Sequence, residues 1–353
     1  MGSSSDPEQR LTLCDHRSPP PPPPPQGTPP LRCDSEPSRV QDTALLIVGV
    51  PSSPTVKGQA RRDAIRTSWM RQASVGREVV VCFLLSNYTP QPALGRLIEE
   101  RQRHGDMLLV DAPETPYLIH NATKYTGYRK RGRGMPTFKQ HRFFELAAAT
   151  WPRVAFVAKV DDDTAPNMRL MVPFLRRLQC GAAESFLFIA AINWAGYVPK
   201  AYSAGVRGDR CGFAWNMRGA LSNFGRAWGT PGVQSGASKY IAACDSRGAA
   251  LPVPYGTGAG YIFSAALLRW LATSKRVSKW VEEARGPTRE ALQWQKYEDT
   301  TTGYWLSYAP RTVQYVDIGT LVHDIGCHPQ GTVQREGESL YRWPDRRAPP
   351  PRP

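Results

Sequence analysis

The sequence predicts an α/β fold, a mostly parallel central sheet with helices on both faces. Two observations carry this. Its apolar runs, such as "ALLIVGV" (44–50), "VVVCFLL" (79–85) and "FLFIAAI" (186–192), are strand-sized and continuous rather than alternating. Strands of that kind are buried on both faces, as in parallel sheets. The runs also alternate with amphipathic helical segments, the order that builds strand–helix–strand crossovers.

Taken in order, residues 1–41 read as disordered, because Pro19 to Pro25 form an unbroken polyproline stretch with little apolar sequence around it. "ALLIVGV" opens the folded part as a buried strand, and "PSSPTVKGQ" follows as a turn. "ARRDAIRTSWM" predicts a helix with Ala64, Ile65, Ser68 and Trp69 on one side. "EVVVCFLLS" is a second strand, "PALGRLIEERQRHG" a helix closed by Gly105, and "DMLLVD" a third strand. After an irregular basic stretch, "TFKQHRFFELAAATWP" is a helix and "VAFVAKV" a strand. "NMRLMVPFLRRLQ" and "SFLFIAAIN" continue as helix and strand. A Gly-, Arg- and aromatic-rich region near 193–254 precedes "VPYGTGAGYIFS", a helix "AALLRWLATS", the acidic "QKYEDTTTGYWLS", and a strand pair near "TVQYVDIG" and "LVHDIG". The tail at 345–353 reads as loose.

Composition narrows the partners. The 353-residue chain carries a formal charge of +15, which points to acidic or phosphorylated ligands. Residues 1–43 hold four Arg against six acids, so the excess belongs to the folded part. A nucleic-acid binder would also show a basic stripe with exposed aromatics or a known module, and neither is found. No apolar run reaches the roughly 18–20 residues that span a bilayer. The N-terminus shows neither a signal-peptide core nor a myristoylation pattern. Seven Cys lie at scattered spacing: Cys82 reads as an inert core thiol, while Cys180, Cys211, Cys244 and Cys327 are free to pair in an oxidising compartment. Two sequons, at Asn87 and Asn121, matter only in the secretory pathway.

The chemistry begins at "KVDDDT" (159–164), where three carboxylates end an apolar strand. An acid before a helix is an N-cap, which accounts for one or two of them. Three at the carboxyl end of a strand in an open α/β sheet suit a hard divalent cation that also holds phosphate oxygens.

Four stretches then resemble, in order, the family of β-1,3-galactosyltransferases and β-1,3-N-acetylglucosaminyltransferases. "RRDAIRTSW" (61–69) is similar to R-R-x-A-I-R-x-T-W, and "KVDDDT" to K-x-D-D-D. "PYGTGAGYIFS" (254–264) is similar to P-Y-C-S-G-x-G-Y-x-x-S, with Gly256 in the place of the family's Cys. "EDTTTGYWLS" (298–307) is similar to E-D-V-x-x-G. The resemblance implies a GT-A-type, Rossmann-like fold over 42–344, with a nucleotide-binding half (42–165) and an acceptor-side half (166–344). It also implies a UDP-galactose or UDP-N-acetylglucosamine donor, a glycan acceptor on glycoprotein or glycolipid, Mn²⁺ or Mg²⁺, and a place in the Golgi lumen.

Each motif has its own physical reading. Arg61, Arg62 and Arg66 open the first helix, Arg62 and Arg66 on one face, as a solvated basic face or as guanidinium forks for uracil or phosphate. "GTGAG", with Gly258 and Gly260, is an ordinary tight turn or a loop under the donor, allowing positive φ or close backbone approach. An inverting transfer needs one carboxylate to take the acceptor's proton, while a metal stabilises the departing diphosphate. By resemblance Asp299 is that base, with Glu298 its neighbour at a helix start. Asp163 and His323 are metal ligands, with Asp161 at the ribose or the metal. Asp162 joins the nucleotide-sugar-binding residues, least replaceable in charge but least direct in contact, and His328 is the alternative to His323. Capping remains a secondary role for Asp163 or Thr164. Lys139, in "TFK", resembles a family T-x-K and would then bind the nucleotide sugar at its diphosphate, or an anionic acceptor glycan; Asn121 to Lys124 resembles the same motif, and a solvated loop is the other reading. A non-catalytic relative that binds nucleotide sugar or glycan is the other reading.

Overall fold

The computed structural model describes residues 14, 27–113, 136–195, 253–284, 298–318 and 322–324. Seven strands form one sheet in the order β3-β2-β1-β4-β7-β6-β8. They are β1 (Leu46–Pro51), β2 (Val79–Ser86), β3 (Met107–Val110), β4 (Phe156–Val160), β6 (Leu187–Ala195), β7 (Val253–Ser264) and β8 (Gln314–Asp317). β7 pairs antiparallel with β4 and β6, and the other pairings are parallel. The predicted mostly parallel α/β sheet is therefore present. Two short strands, β5 (Thr164–Pro166) and β9 (Val322–Asp324), form a separate antiparallel pair.

Alternation along the strands divides the apolar core into two layers, since successive side chains face opposite sides. On one side Leu46, Val48 and Val50 meet helices α2 (Val56–Thr67), α3 (Ala93–His104) and α5 (Met168–Leu178) through Ile65, Leu97, Met171 and Leu175. On the other, Ile47, Val80 and Val157 meet α1 (Pro37–Thr43), α4 (Pro136–Thr150), α6 (Ala265–Thr273), α7 (Lys275–Ala284) and α8 (Glu298–Leu306). Helices cover both faces because both faces are apolar.

Local chemistry sets the helix ends. Thr55 caps α2 by accepting from Gly58 N at 3.1 Å, so the helix starts at Val56, inside the stretch expected as a turn. Gly105, at φ 65°, closes α3 as its sequence position predicts. Asn167 caps α5 and Ser264 caps α6.

Three expectations change. The packed structure begins before residue 42: Leu31, Cys33 and Val40 are buried, and Cys33 forms a disulfide with Cys82. Cys82 is thus not an inert thiol. Cys180 is also paired, with Cys14. The strands near "TVQYVDIG" and "LVHDIG" do not pair with each other; β8 joins β6 and β9 joins β5. Cys211, Cys244, Cys327, Asn121, Lys124 and His328 lie outside the described residues.

Candidate active site

The site lies where β4 ends. Asp161 to Asp163 form the turn from β4 into β5, closed by Thr164 N donating to Asp161 O at 3.1 Å. This turn does not lead straight into a helix. β5 intervenes and Asn167 caps α5, so Asp163 and Thr164 do not cap it and three acids need another reason to be there.

The "GTGAG" stretch is not a turn but part of β7, beside the aspartates; Gly260 pairs with Val160, the last residue of β4. Tyr261 pairs with Ala190 and Gly256 with Ile192, so five steps of β7 (261 − 256) face two steps of β6 (192 − 190). Glycine serves close approach here rather than positive φ. A Cβ on Gly256 would lie 2.6 Å from Ala190 Cβ and 2.8 Å from Tyr261 Cβ, so a side chain there forces its neighbours to move. A Cβ on Gly258 would lie 3.0 Å from Asp161 Oδ2, 3.8 Å from Asp299 Oδ2 and 3.9 Å from Lys159 Nζ. Asp161 and Asp299, 138 residues apart in sequence (299 − 161), thus meet across one glycine.

Lys159 is the residue at this centre that the sequence reading did not single out. Alternation puts it on the same face of β4 as Val157, at a core position, and it is fully buried. Its ammonium donates to Gly258 O at 2.9 Å, reaches Asp161 Oδ1 at 2.5 Å, and bonds Glu298 Oε1. It also lies 5.5 Å from the Tyr261 ring centre. A lone Lys inside an apolar strand that ends in acids was the available signal, because a buried charge must have partners.

These contacts set the electrostatics. Burial opposes the Lys159 charge, but Asp161 and Glu298 overcome it and raise its pKa. Burial pushes the Glu298 carboxyl up to about 8, with Lys159 pulling against it and Asp299 and Asp161 adding like charge. Among the described residues, Glu298 Oε2 is buried without a hydrogen-bond partner. Asp161 is also raised, by desolvation first and against Lys159, although its side chain is 39% exposed, which tempers the effect. Burial and the nearby Asp299 push up the Tyr255 phenol.

The three arginines separate. Arg61 bonds Asp162 through Nη1 and reaches Asp163 Oδ2 at 3.1 Å through Nη2, so it belongs to the aspartate turn. Arg62 is buried, bidentate to Glu100 at 2.8 and 2.6 Å, and donates to Ser52 Oγ and Ser53 O. Arg66 holds Asp106, Glu100 and Asp63. Arg62 and Arg66 share a face as expected, but their donors join α2 to α3 and to the residue before β3 rather than opening onto a ligand. Lys139, in the first turn of α4, is buried and donates to Ser52 O at 2.7 Å. β9 sets His323 opposite Ala165, two residues past Asp163, and its side chain lies outside the described atoms. Asn87 is exposed just after β2.

Among the described residues, no three His, Cys, Asp or Glu side chains converge as a ready set of metal ligands. The donor chemistry nevertheless fits Mg²⁺ or Mn²⁺. Such ions take one or two carboxylates and complete their shell with water and phosphate oxygens, and Asp161 and Asp163 offer hard oxygens on one turn. No helix among the described residues is long and apolar enough to cross a membrane.

No family model matches the chain. It is 25% identical over 185 residues to a Mus musculus protein, N-acetyllactosaminide beta-1,3-N-acetylglucosaminyltransferase 2, covering 48% of this chain and 42% of the relative. It is 25% identical over 161 residues to the Homo sapiens protein of the same name, covering 42% of this chain and 36% of the relative. The chain thus spans less than half the length of these relatives. Both are of the kind that the four motifs resemble.

Proposed function

We propose that this chain is a metal-dependent inverting glycosyltransferase that moves N-acetylglucosamine or galactose from UDP to a glycan hydroxyl, forming a β-1,3 linkage.

 The observation that carries this reading is the meeting of Asp161 and Asp299 at Gly258. It supports a site in which one acid group faces the donor and the other the acceptor. Under this reading Asp299, at the first turn of α8, accepts the proton from the attacking hydroxyl as the new bond forms at the sugar carbon. Inversion needs no enzyme nucleophile. Glu298, the buried neighbour of Asp299, bonds Lys159. Asp163, Asp161 and His323 would hold the divalent cation, which when bound supplies charge stabilisation for the leaving diphosphate. Arg61 orders the aspartate turn, and Gly258 and Gly260 keep the backbone of β7 close to the donor. The linkage is assigned as β-1,3 from the names of the relatives. The acceptor is a glycan on glycoprotein or glycolipid. Two disulfides support an oxidising compartment, in keeping with the Golgi lumen.

The test is turnover of UDP-N-acetylglucosamine and UDP-galactose by the purified chain with and without Mn²⁺, using a panel of β-galactoside acceptors. Metal-dependent release of UDP that rises with acceptor is expected, with loss in Asp163→Ala and Asp299→Ala. Binding of UDP-sugar with no turnover under any condition would favour the non-catalytic relative instead.

A further inference from the structure

We infer that Lys159 is a positioning residue for the transfer: its ammonium ties the end of β4 to the start of α8 and so fixes Asp299 beside Gly258. This rests on the transferase reading. The three donors of an ammonium are matched by three acceptors, each from a different segment. Asp161 comes from the turn after β4, Gly258 from β7 and Glu298 from the first turn of α8.

The geometry also explains how acids of like sign share this space. Asp161, Glu298 and Asp299 gather around one point, and without a cation their mutual repulsion would spread the β4 turn from α8. Lys159 supplies that cation from inside the core. Asp299 follows Glu298 directly in α8, so a shift of Glu298 moves the proposed base relative to Gly258. A misplacement of about 1 Å far from the bond being made is enough to cost about a hundredfold in rate. Lys159 itself is fully buried and bonded to protein groups, so it acts through Asp161 and Glu298 rather than by touching the donor.

A purely structural role, neutralising the buried Glu298, predicts a different outcome, and the full chain separates the two. Turnover of UDP-N-acetylglucosamine with Mn²⁺ is measured for the wild type, Lys159→Met, Glu298→Gln and the double variant, with the melting temperature of each. For Lys159→Met that melts cooperatively above the assay temperature, kcat falls about thirtyfold or more while the donor KM changes less than about threefold. A kcat within about threefold of wild type overturns the role. If Lys159→Met does not fold, the double variant is compared with Glu298→Gln, where the buried carboxylate is already neutral. A further loss of about tenfold or more in kcat supports positioning, and equal kcat overturns it. A wild-type chain that turns over neither UDP-N-acetylglucosamine nor UDP-galactose overturns the transferase reading, and Lys159's role with it. An active wild type with an unaffected Lys159 variant overturns Lys159's role alone.

Discussion

Arg61 Nη2 stands 3.1 Å from Asp163 Oδ2 while its Nη1 bonds Asp162, so one guanidinium of α2 spans two neighbouring acids of the β4–β5 turn. The positive charge offsets like charges that adjacency alone would set against each other. In Arg61→Ala the turn becomes more negative. Mn²⁺ binding, measured by calorimetry on the purified chain, is expected to tighten roughly three- to tenfold, and the donor KM to rise by a similar factor. Opposite signs for cation and anionic donor are the signature. A parallel loss of both would show that Arg61 merely holds the turn in shape.

Asp299 and Glu298 are neighbours with different surroundings, since Glu298 is buried against Lys159 and Asp299 is partly exposed. Asp299→Asn is expected to lower kcat by about 10²–10⁴ with little change in donor KM, as loss of a general base does. Glu298→Gln, which keeps the shape but not the charge, is expected to fall less. Steady-state kinetics of the two variants check the order, and an equal or larger loss in Glu298→Gln would reverse the assignment.

Glu100 is the hub of the α2–α3 ion pairs. Burial pushes its carboxyl up, but hydrogen bonds and charge from Arg62, then Arg66, outweigh it and hold it below its ordinary value. A carboxyl whose folded pKa is depressed stabilises the fold above its unfolded value, near pH 4.3, and loses that contribution as pH falls through the folded pKa. Glu100→Gln leaves the buried Arg62 without its anionic partner, a loss of about 3–5 kcal/mol at pH 7. Its melting temperature is expected well below wild type at pH 7, with the gap narrowing as the pH is taken below about 4. A gap that stays constant to pH 3 would show that ionised Glu100 is not what the arginines hold.

The Cys33–Cys82 disulfide joins the N-terminal segment to the centre of β2 across 49 residues. Closing a loop of that length stabilises by about 4 kcal/mol in the chain-entropy model. Cys33→Ser is expected to lower the melting temperature under non-reducing conditions, and added reductant to bring wild type toward the variant. Equal melting temperatures without reductant would exclude the bridge as a stabilising element.

The sheet and its helices were legible because burial on both faces writes itself into sequence. A strand covered on two sides must be apolar at every position, and "VVVCFLL" is. The cap at Thr55 was missed because the following Val56 and Gly58 are weak helix formers, and only the completed helix shows the threonine accepting from Gly58 N. The N-terminal segment was misjudged for a related reason: its few apolar residues show no period, yet Leu31, Cys33 and Val40 find places on a core formed by distant strands.

At the site, sequence by itself determined the residue types: three acids ending a strand, a glycine-rich strand, and an acid pair opening a helix. Local order and charge suffice for that. Which acid meets which partner was decided only by tertiary structure, because those choices depend on strand order. Placing β7 between β4 and β6 sets Gly258 against Asp161 and carries α8 to the same point, across 138 residues of chain. The same packing turned Arg62 and Arg66 inward to Glu100 while leaving Arg61 on the aspartates, though all three lie on one helix. It also put Lys159 inside the core, where a charge persists only because three segments bring it acceptors.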